Sequence, residues 1–297
     1  MAETENREIR HNIQRRLEFI EFRLYWEGQI NRSDLVEAFG ISVPQASADL
    51  RRYQELSPGG IAYDSHGKTY RPTEKFKPQH LLPSGDAYLA RLRLRESGFV
   101  GEGETWAERM PEFSIVPILR RTVAPEILRK IIGSIRSKLA LKIKYQSAGS
   151  NTSRWRWIAP HALGFDGFSW HARAWCQRND EFRDFVLTRL LEVAESRPVD
   201  VETKTDTEWN ESVTFLLQPN PELSAGARKA VELDFGMVNG KTAIETRVSL
   251  SFYLERHLGL DQDTKLVRPE RQRIVLANRI EVEEVRQKVK HQDRGGK

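Results

Sequence analysis

The stretch FSWHARAWCQRNDEFRDFVLTRL, residues 168–190, decides how the rest of the chain is interpreted. Apolar and polar side chains largely alternate along both halves, which is typical of β-strands, and Asn179-Asp180 supplies turn residues between them. The stretch therefore predicts a hairpin of two antiparallel strands. It carries one histidine and three arginines, which are His171, Arg173, Arg183 and Arg189. Strands this apolar cannot leave all four groups to water, so their partner is either an internal carboxylate or a bound anion.

The composition bounds the class of protein. The chain has 297 residues, of which 39% are hydrophobic and 30% charged, and this indicates a globular protein of two or three domains. Residues 1–16 hold no apolar signal core, and no apolar run approaches the roughly 18 residues that cross a bilayer. Cys176 is the single cysteine, which excludes an internal disulfide and a CxxC metal knuckle. We therefore expect a cytoplasmic protein without a membrane partner.

The net charge of +5 is unevenly distributed. Residues 1–80 are neutral, whereas residues 113–158 contain ten basic side chains and one acid, Glu126. A segment with this bias favours contact with a polyanion, and a solvated basic face is the alternative.

The N-terminal 80 residues predict a winged helix-turn-helix domain. A long amphipathic helix over residues 6–27 ends at Gly28, and a short helix begins after Asn31. Ser42 is predicted to cap a third helix that has Pro44 in its first turn. A short helix, a glycine-containing turn and a capped helix form the layout of a helix-turn-helix, and two short β segments then predict a hairpin wing.

The third helix of a winged helix enters the major groove of DNA, while the wing touches backbone or minor groove. Ala46, Leu50 and Tyr53 are predicted to face the core, and Asp49 to face outward. The side chains predicted to contact DNA are Ser42, Gln45, Ser47, Arg51, Arg52, His66 and Lys68. A winged helix used only for protein contacts is the alternative, and the neutral charge of this region counts mildly toward it.

Two further helices are predicted over residues 84–96 and 125–138, with a polar loop over residues 97–110. We interpret residues 81–135 as a helical connector between the DNA-binding domain and the rest of the chain.

The apolar period changes to two after this connector. Strands are predicted over residues 139–147, 155–158 and 161–165, and Asp166-Gly167 forms a tight turn before the opening hairpin. Five short antiparallel strands in about 50 residues fit a small curled barrel, because closing the sheet hides its edges.

Residues 136–197 resemble a WYL domain, an Sm/SH3-like barrel of bacterial regulators. The motifs that carry the resemblance are Trp170-His171-Ala172, Pro160-His161, Asp166-Gly167, Arg173-Ala174 and FRDFVL at residues 182–187. The triplet that names the family is Trp-Tyr-Leu, so this chain departs from it at two of three letters. With this changed triplet and the other motifs, the sequence resembles a subgroup of WYL repressors that are associated with the BREX and CBASS phage-defence systems. The resemblance covers nearly the whole chain and implies an α+β multidomain protein, with a C-terminal α+β dimerisation domain over residues 198–297.

The C-terminal region begins with an acidic segment, residues 198–222, which we interpret as a linker. After it, the pattern predicts a hairpin of residues 231–238 and 242–248 around Asn239-Gly240, a helix over 250–258, a strand over 273–276 and a helix over 278–290.

The resemblance implies that one face of the barrel senses a nucleotide or nucleic acid. Guanidinium groups bind phosphate in a bidentate manner, and aromatic rings offer stacking faces for a base. The predicted effector-binding residues are Tyr145, Ser147, His161, His171, Arg173, Arg183 and Arg189. The alternative is that Arg183 or Arg189 pairs with Asp184, Glu181 or Glu192 and only braces the barrel.

Enzyme signatures such as HExxH, a P-loop, GxGxxG or GxSxG do not occur in the sequence, and its histidines lack metal spacing. We therefore expect no catalytic activity, no metal and no cofactor, with a Ser147/His171 nucleophile pair as the remaining enzymatic alternative. The leading hypothesis is a homodimeric repressor of a phage-defence operon that binds double-stranded DNA at an inverted repeat and responds to a nucleotide or oligonucleotide effector. The alternatives are an activator of the same architecture, a nucleotide-processing enzyme and an adaptor that uses the winged helix for protein contacts.

Overall fold

The computed structural model describes residues 2–96, 106, 110–117, 121–199, 205–262 and 266–295, with side chains placed between residues 11 and 291. The chain forms two compact units, Met1–Ile118 and Leu119–Lys297. Within the described ranges, every helix is too short or too polar to cross a bilayer. Most of the loop predicted over residues 97–110 lies outside the described residues.

The first unit has the predicted winged-helix architecture. Its elements are α1 (Ala2–Phe22, continued by a π-helical turn at Arg23–Glu27), α2 (Arg32–Phe39), α3 (Val43–Leu56), β1 (Ile61–Asp64), β2 (Thr69–Pro72) and α4 (Gly85–Glu96). β1 and β2 pair antiparallel and form the wing. Ile30 forms an isolated antiparallel bridge with Tyr70 of β2 through two backbone hydrogen bonds.

Local signals at the helix ends explain these boundaries. Gly28 and Gly40 end α1 and α2 in the left-handed region, with φ of 70° and 63°, where a side chain would be strained. Asn31 caps α2 in a full capping box with Asp34, and the Ser42 side chain accepts the Gln45 N–H to start α3. The predicted starts of α2 and α3 are confirmed.

α3 faces the core as predicted at three positions, while the prediction for Asp49 is wrong. Ala46, Leu50 and Tyr53 are buried, but so is Asp49, whose carboxylate lies 2.6 Å from the Arg16 Nε on α1. Asp49 follows Ala46 by one helical turn and therefore shares its inward face. The ion pair with Arg16 is what makes that burial tolerable.

Glu21 organises the first unit from its interior. The side chain of Glu21 is fully buried and accepts the Tyr53 hydroxyl hydrogen at 3.0 Å. It also accepts the backbone N–H groups of Gln79, His80 and Leu81 at 2.7–2.8 Å. Burial, and then the neighbouring carboxylate, raise the pKa of Tyr53. One carboxylate thus fixes both α3 and the chain that follows the wing.

The second unit contains two antiparallel sheets. Its elements are α5 (Pro125–Ser137), β3 (Leu139–Tyr145), β4 (Arg154–Phe165), β5 (Trp170–Cys176), β6 (Glu181–Val186), a 3-10 turn at Leu187–Arg189, β7 (Leu190–Pro198), α6 (Thr207–Asn210), β8 (Ser212–Pro219), α7 (Ala225–Asp234), β9 (Thr242–Arg247), α8 (Val248–His257), β10 (Ile274–Leu276) and α9 (Arg279–Gly295). The larger sheet has the order β6-β5-β4-β3-β7, and the smaller one β10-β8-β9.

The larger sheet has five strands, as predicted, but it does not form the expected closed Sm/SH3-like barrel. No ladder joins β6 to β7 within the described residues. Only the 3-10 turn separates these two strands, and it takes the chain out of ladder geometry. The Tyr145 hydroxyl accepts the Val186 N–H at 3.2 Å, and the Gln146 N–H donates to the Arg189 carbonyl at 3.1 Å. These contacts satisfy backbone groups that a closing ladder would otherwise use.

The strands also differ from the prediction in two places. Residues 155–158 and 161–165 belong to one strand, β4, in which the register with β5 shifts between Pro160 and Ala162. His161 is the extra residue of this β-bulge. β7 was not predicted and supplies the fifth strand.

The C-terminal part confirms some predictions and overturns others. The strand predicted to begin at residue 231 is wrong, because residues 231–234 are the last turn of a helix, α7. The Ser224 side chain caps the N-terminus of this helix, and Val231 packs in the core. The Asn239-Gly240 turn, β9, α8, β10 and α9 are confirmed. The described part of the segment interpreted as an acidic linker contains α6 and β8, with Val213, Phe215 and Leu217 in the core.

Replacement of Glu21 by alanine is expected to destabilise the first unit strongly. The change removes the acceptor of three partly buried N–H groups and of the buried Tyr53 hydroxyl, so we expect a loss of about 3 kcal/mol or more in the free energy of unfolding. Urea denaturation of the full chain measures this loss. The matched control is Glu37→Ala on the exposed face of α2, which is expected to change stability by less than about 0.5 kcal/mol. Equal stability of the two variants would contradict the role given to Glu21.

Candidate nucleic-acid interface and effector pocket

The outer face of α3 presents polar groups to solvent. Ser42, Gln45, Arg51 and Arg52 are exposed, and Ser47 is half-buried. Across the described residues, neither arginine forms an ion pair. Both groups are therefore available to an external anion.

Two of the predicted DNA-contacting side chains on α3 are engaged within the helix. The Gln45 Nε2 donates to the Asp49 Oδ1 at 3.1 Å, and the Ser47 hydroxyl donates to the Val43 carbonyl at 3.0 Å. The contact with Asp49 orients the Gln45 amide, and its oxygen accepts no hydrogen bond from any described residue. The hydroxyl of Ser47, by contrast, is directed back onto its own helix.

The wing tip is held by one carboxylate. The Asp64 Oδ1 accepts the N–H groups of His66 and Gly67 at 3.0 and 3.1 Å, and its Oδ2 accepts the Arg71 Nε at 3.1 Å. The Gly67 N–H, and then the Arg71 guanidinium, lower the pKa of Asp64. His66 and Lys68 project from this ordered tip and are exposed.

Arg173, predicted to contact the effector, is buried among internal acids. Its Nε and Nη2 each donate to one oxygen of Asp206 at 2.8 Å, in a bidentate pair. The Nη2 also donates to Glu208 at 2.9 Å, and the Nη1 lies 3.4 Å from Asp184. Burial opposes the charged form, but these hydrogen bonds outweigh it and raise the pKa of Arg173.

Asp206 is the centre of this cluster. It accepts His161 Nε2 at 2.8 Å as well as the Arg173 guanidinium. Burial alone would raise the pKa of Asp206, but the bonds from Arg173 and His161 lower it. At Asp184, in contrast, burial dominates over the longer contact to Arg173 and raises the pKa. Arg173 is therefore neutralised internally, and His161 is hydrogen-bonded internally, by acids from the segment that the sequence suggested was a linker.

His171 also has an internal partner. Its Nε2 lies 2.7 Å from the Asp166 Oδ2, and the Asp166 Oδ1 accepts the N–H groups of Phe168 and Ser169 at 2.7 and 2.6 Å. These bonds outweigh the effect of burial and lower the pKa of Asp166. The Nδ1 of His171 is buried and has no hydrogen-bond partner in the described part of the chain.

Four predicted effector residues do come together. Tyr145, Ser147, Arg183 and Arg189 line one cavity of about 270 Å³, the effector pocket. Arg183 is exposed, with Glu181 3.4 Å away, and Arg189 is exposed without an ion pair among the described residues. His161, His171 and Arg173 do not line this pocket.

The prediction missed Arg156, which also lines the effector pocket. Its guanidinium is 5.3 Å from the ring centre of Tyr145, and its Nη2 is 3.5 Å from the Ser147 Oγ. The Nε is buried without a partner among the described atoms. Strand alternation from the buried Ile158 was the available signal, because it places Arg156 on the inner face of β4.

Among the described residues, His, Cys, Asp and Glu side chains form no cluster that could hold a metal ion. Cys176 is a buried free thiol.

Comparison with known proteins defines the class. Three family models match the chain: the BrxR transcriptional regulator winged helix-turn-helix domain at residues 12–94, the WYL domain at 126–195 and the BrxR C-terminal dimerization domain at 212–282. The chain thus has the domain set of a dimeric winged-helix transcriptional regulator with a central WYL domain, and the resemblance seen in the sequence is confirmed.

Curated relatives narrow this class. A protein of Stenotrophomonas maltophilia is 38% identical over 96% of this chain and 95% of its own length. A protein of Escherichia coli (strain KTE188) is 36% identical over 91% of this chain and 90% of its own length. A protein of Pseudomonas aeruginosa is 38% identical over 92% of this chain and 91% of its own length. Each is described as the DNA-binding transcriptional repressor CapW. The chain belongs to the CapW family.

Among solved structures, the proteasome accessory factor B/C of Arthrobacter aurescens matches with a TM-score of 0.25 and 16% identity, covering 95% of this chain and 48% of that one. A superposition this loose supports no structural inference.

Replacement of Arg173 by methionine tests its structural role. Because the change leaves buried Asp206 and Asp184 without their cation, we expect a loss of about 3–5 kcal/mol in the free energy of unfolding. Chemical denaturation measures it. The matched control is Arg183→Met on the neighbouring strand, where the side chain is exposed, and the expected change there is within about 0.5 kcal/mol. A stable Arg173→Met variant would show that the cluster does not support the fold.

Proposed function

We propose that the chain is a homodimeric transcriptional repressor of a phage-defence operon. Two winged helices would bind an inverted-repeat operator, and a nucleotide or nucleic-acid effector in the WYL domain would modulate this binding. The observation that carries the proposal is the exposed outer face of α3, whose two arginines form no ion pair with any described residue, in a chain of the CapW family. The relatives' description as repressors favours repression over activation.

The groups on α3 suit different parts of DNA recognition. The exposed Arg51 has the donors for a bidentate contact with the edge of guanine. The Gln45 amide has the donor and acceptor for a bidentate contact with adenine. Arg52, on the same helix, and Lys68 and His66, on the wing, suit phosphates. Ser42, at the N-terminus of α3, adds a hydroxyl near the helix dipole. In a dimer, two such surfaces would read half-sites a whole number of helical turns apart, each about 34–36 Å.

The effector pocket supports the sensing half of the proposal. Arg183 and Arg189 supply guanidinium groups for phosphate, and Tyr145 and Ser147 supply a hydroxyl each. We add Arg156 to this set, and we place His161 and Arg173 outside it because Asp206 binds both. The effector must bind the DNA-competent and released states with different affinity, because otherwise it shifts no equilibrium.

We also propose the division of labour expected from the sequence: DNA binding by residues 1–80, a connector over 81–135, sensing by 136–197 and dimerisation by 198–297. The chain would have no catalytic activity. In support, the Ser147 hydroxyl contacts Arg156, and His171 does not line the pocket that holds Ser147, so the two are not arranged as nucleophile and base.

Promoter DNA from the chain's own operon is expected to shift on binding the purified protein, with affinity falling steeply as salt rises. Arg51→Ala should weaken binding by about 1–3 kcal/mol, and Lys68→Ala should lower the salt slope by about one. Arg228→Ala, an exposed arginine on α7, is the charge-matched control and should leave both unchanged. Fluorescence anisotropy at several salt concentrations measures both quantities. Failure to bind any promoter fragment would contradict the proposal.

Loss of sensing without loss of DNA binding is expected for Arg183→Ala and Arg189→Ala. Both side chains are exposed and line the effector pocket, so their removal should abolish induction of a reporter promoter in cells while repression remains. Deletion of the gene distinguishes the activator alternative, because it should raise the reporter signal for a repressor and lower it for an activator.

A further inference from the structure

Gln45 occupies the first turn of α3, which is where the recognition helix of a helix-turn-helix contacts base edges. Its side chain is exposed, yet the amide has a fixed partner. The Nε2 donates to the Asp49 Oδ1 at 3.1 Å, one turn further along the helix. The backbone N–H of Gln45 donates to the Ser42 hydroxyl that caps the helix. Both the backbone and the side chain of this residue are therefore held before any DNA is bound.

The chemistry of Asp49 decides which end of the Gln45 amide faces inward. Asp49 is 3% exposed, and the Arg16 Nε and Nη2 lie 2.6 and 3.3 Å from its two oxygens. A carboxylate paired with a guanidinium accepts hydrogen bonds and donates none. Asp49 therefore attracts the amide nitrogen of Gln45 and repels the amide oxygen, so the two ends of the amide cannot exchange at equal energy.

The Gln45 Oε1 is consequently turned away from Asp49. It accepts no hydrogen bond from any described residue, and the side chain that carries it is exposed. The outward group is thus a hydrogen-bond acceptor. In the major groove, adenine N6 and cytosine N4 are donors that suit this acceptor, whereas guanine O6 and thymine O4 are acceptors that repel it.

We infer that Asp49 and Arg16 are positioning residues for base recognition, and that Gln45 reads the amino group of adenine or cytosine at one position of each half-site. The inference rests on the proposed binding of DNA by α3. Asp49 and Arg16 act through Gln45, so neither has to touch the DNA. The second hydrogen of the Gln45 Nε2 can donate to adenine N7, which gives adenine two bonds and cytosine one.

Selection from a randomised duplex library by the full-length protein defines its base preferences, and Gln45→Ala identifies the position that Gln45 reads. The wild type should select adenine or cytosine there, and Gln45→Ala should lose the preference at that position alone. Fluorescence anisotropy then tests a selected duplex in which purine replaces the adenine, or 2-pyrimidinone the cytosine, so that only the amino group is removed. This removal should weaken binding of the wild type about fivefold or more and leave binding of Gln45→Ala unchanged.

Asp49→Asn separates positioning from a purely structural role. Because Arg16 only donates, it should bind the oxygen of the new amide and turn the new NH₂ group toward Gln45. The Gln45 amide should then reverse, and the preference at its position should shift to guanine or thymine. Loss of stability alone would weaken every duplex equally and shift no preference. Glu55→Gln removes an exposed acid from the same helix, and this charge-matched control should keep the wild-type preference.

The possible results distinguish this inference from the proposed function. Unchanged base preferences in Gln45→Ala, or a wild-type preference for guanine or thymine at the position that this variant affects, overturn reading by Gln45. A wild-type preference retained in Asp49→Asn overturns the positioning role. Asp49→Ala is the second variant, in which the released amide should accept both classes of base, and thermal melting checks that each variant is folded. Binding of no duplex in the library overturns the proposed DNA binding together with the inference.

Discussion

The bidentate pair between Arg173 and Asp206 is the constraint on which the second unit depends. A guanidinium buried in a β-sheet is tolerated only if carboxylates reach it with good geometry. Both oxygens of Asp206 do so, at 2.8 Å, and they come from the chain that leaves the sheet toward the C-terminal helices. The same carboxylate binds His161, the bulged residue of β4. One acid therefore sets the position of the C-terminal segment on the WYL sheet.

This internal neutralisation decides which cations remain for a ligand. Arg173 and His161 have their carboxylate inside the protein, so neither is available to an anion. Arg183 has only an exposed contact to Glu181, and Arg189 has none among the described residues. Surface pairs of that kind are weak and easily exchanged for a phosphate. The proposed sensing function thus rests on the exposed cations of the sheet, whereas the buried Arg173 has a structural function.

The first unit follows the same rule with different residues. Asp49 is paired with Arg16, and Glu21 accepts the hydroxyl of Tyr53 and three backbone N–H groups. Both acids hold α3 from its inner side, where every buried charge has a partner. The outer face of α3 carries the exposed Arg51 and Arg52, which form no ion pair with any described residue, while its inner face is held in place.

The sequence by itself determined the features that depend on a few neighbouring residues. Glycines at 28 and 40, the caps Asn31 and Ser42 and the alternation around residues 168–190 act within one or two turns of chain, so the winged helix, the hairpin of β5 and β6 and the family were predictable. Tertiary structure alone decided that the sheet stays open, that a supposed linker carries Asp206 and that Asp49 points inward beside Arg16. Arg173 and Asp206 are 33 positions apart. Whether a charge is neutralised or free depends on such distant partners, which come together only when the chain has folded.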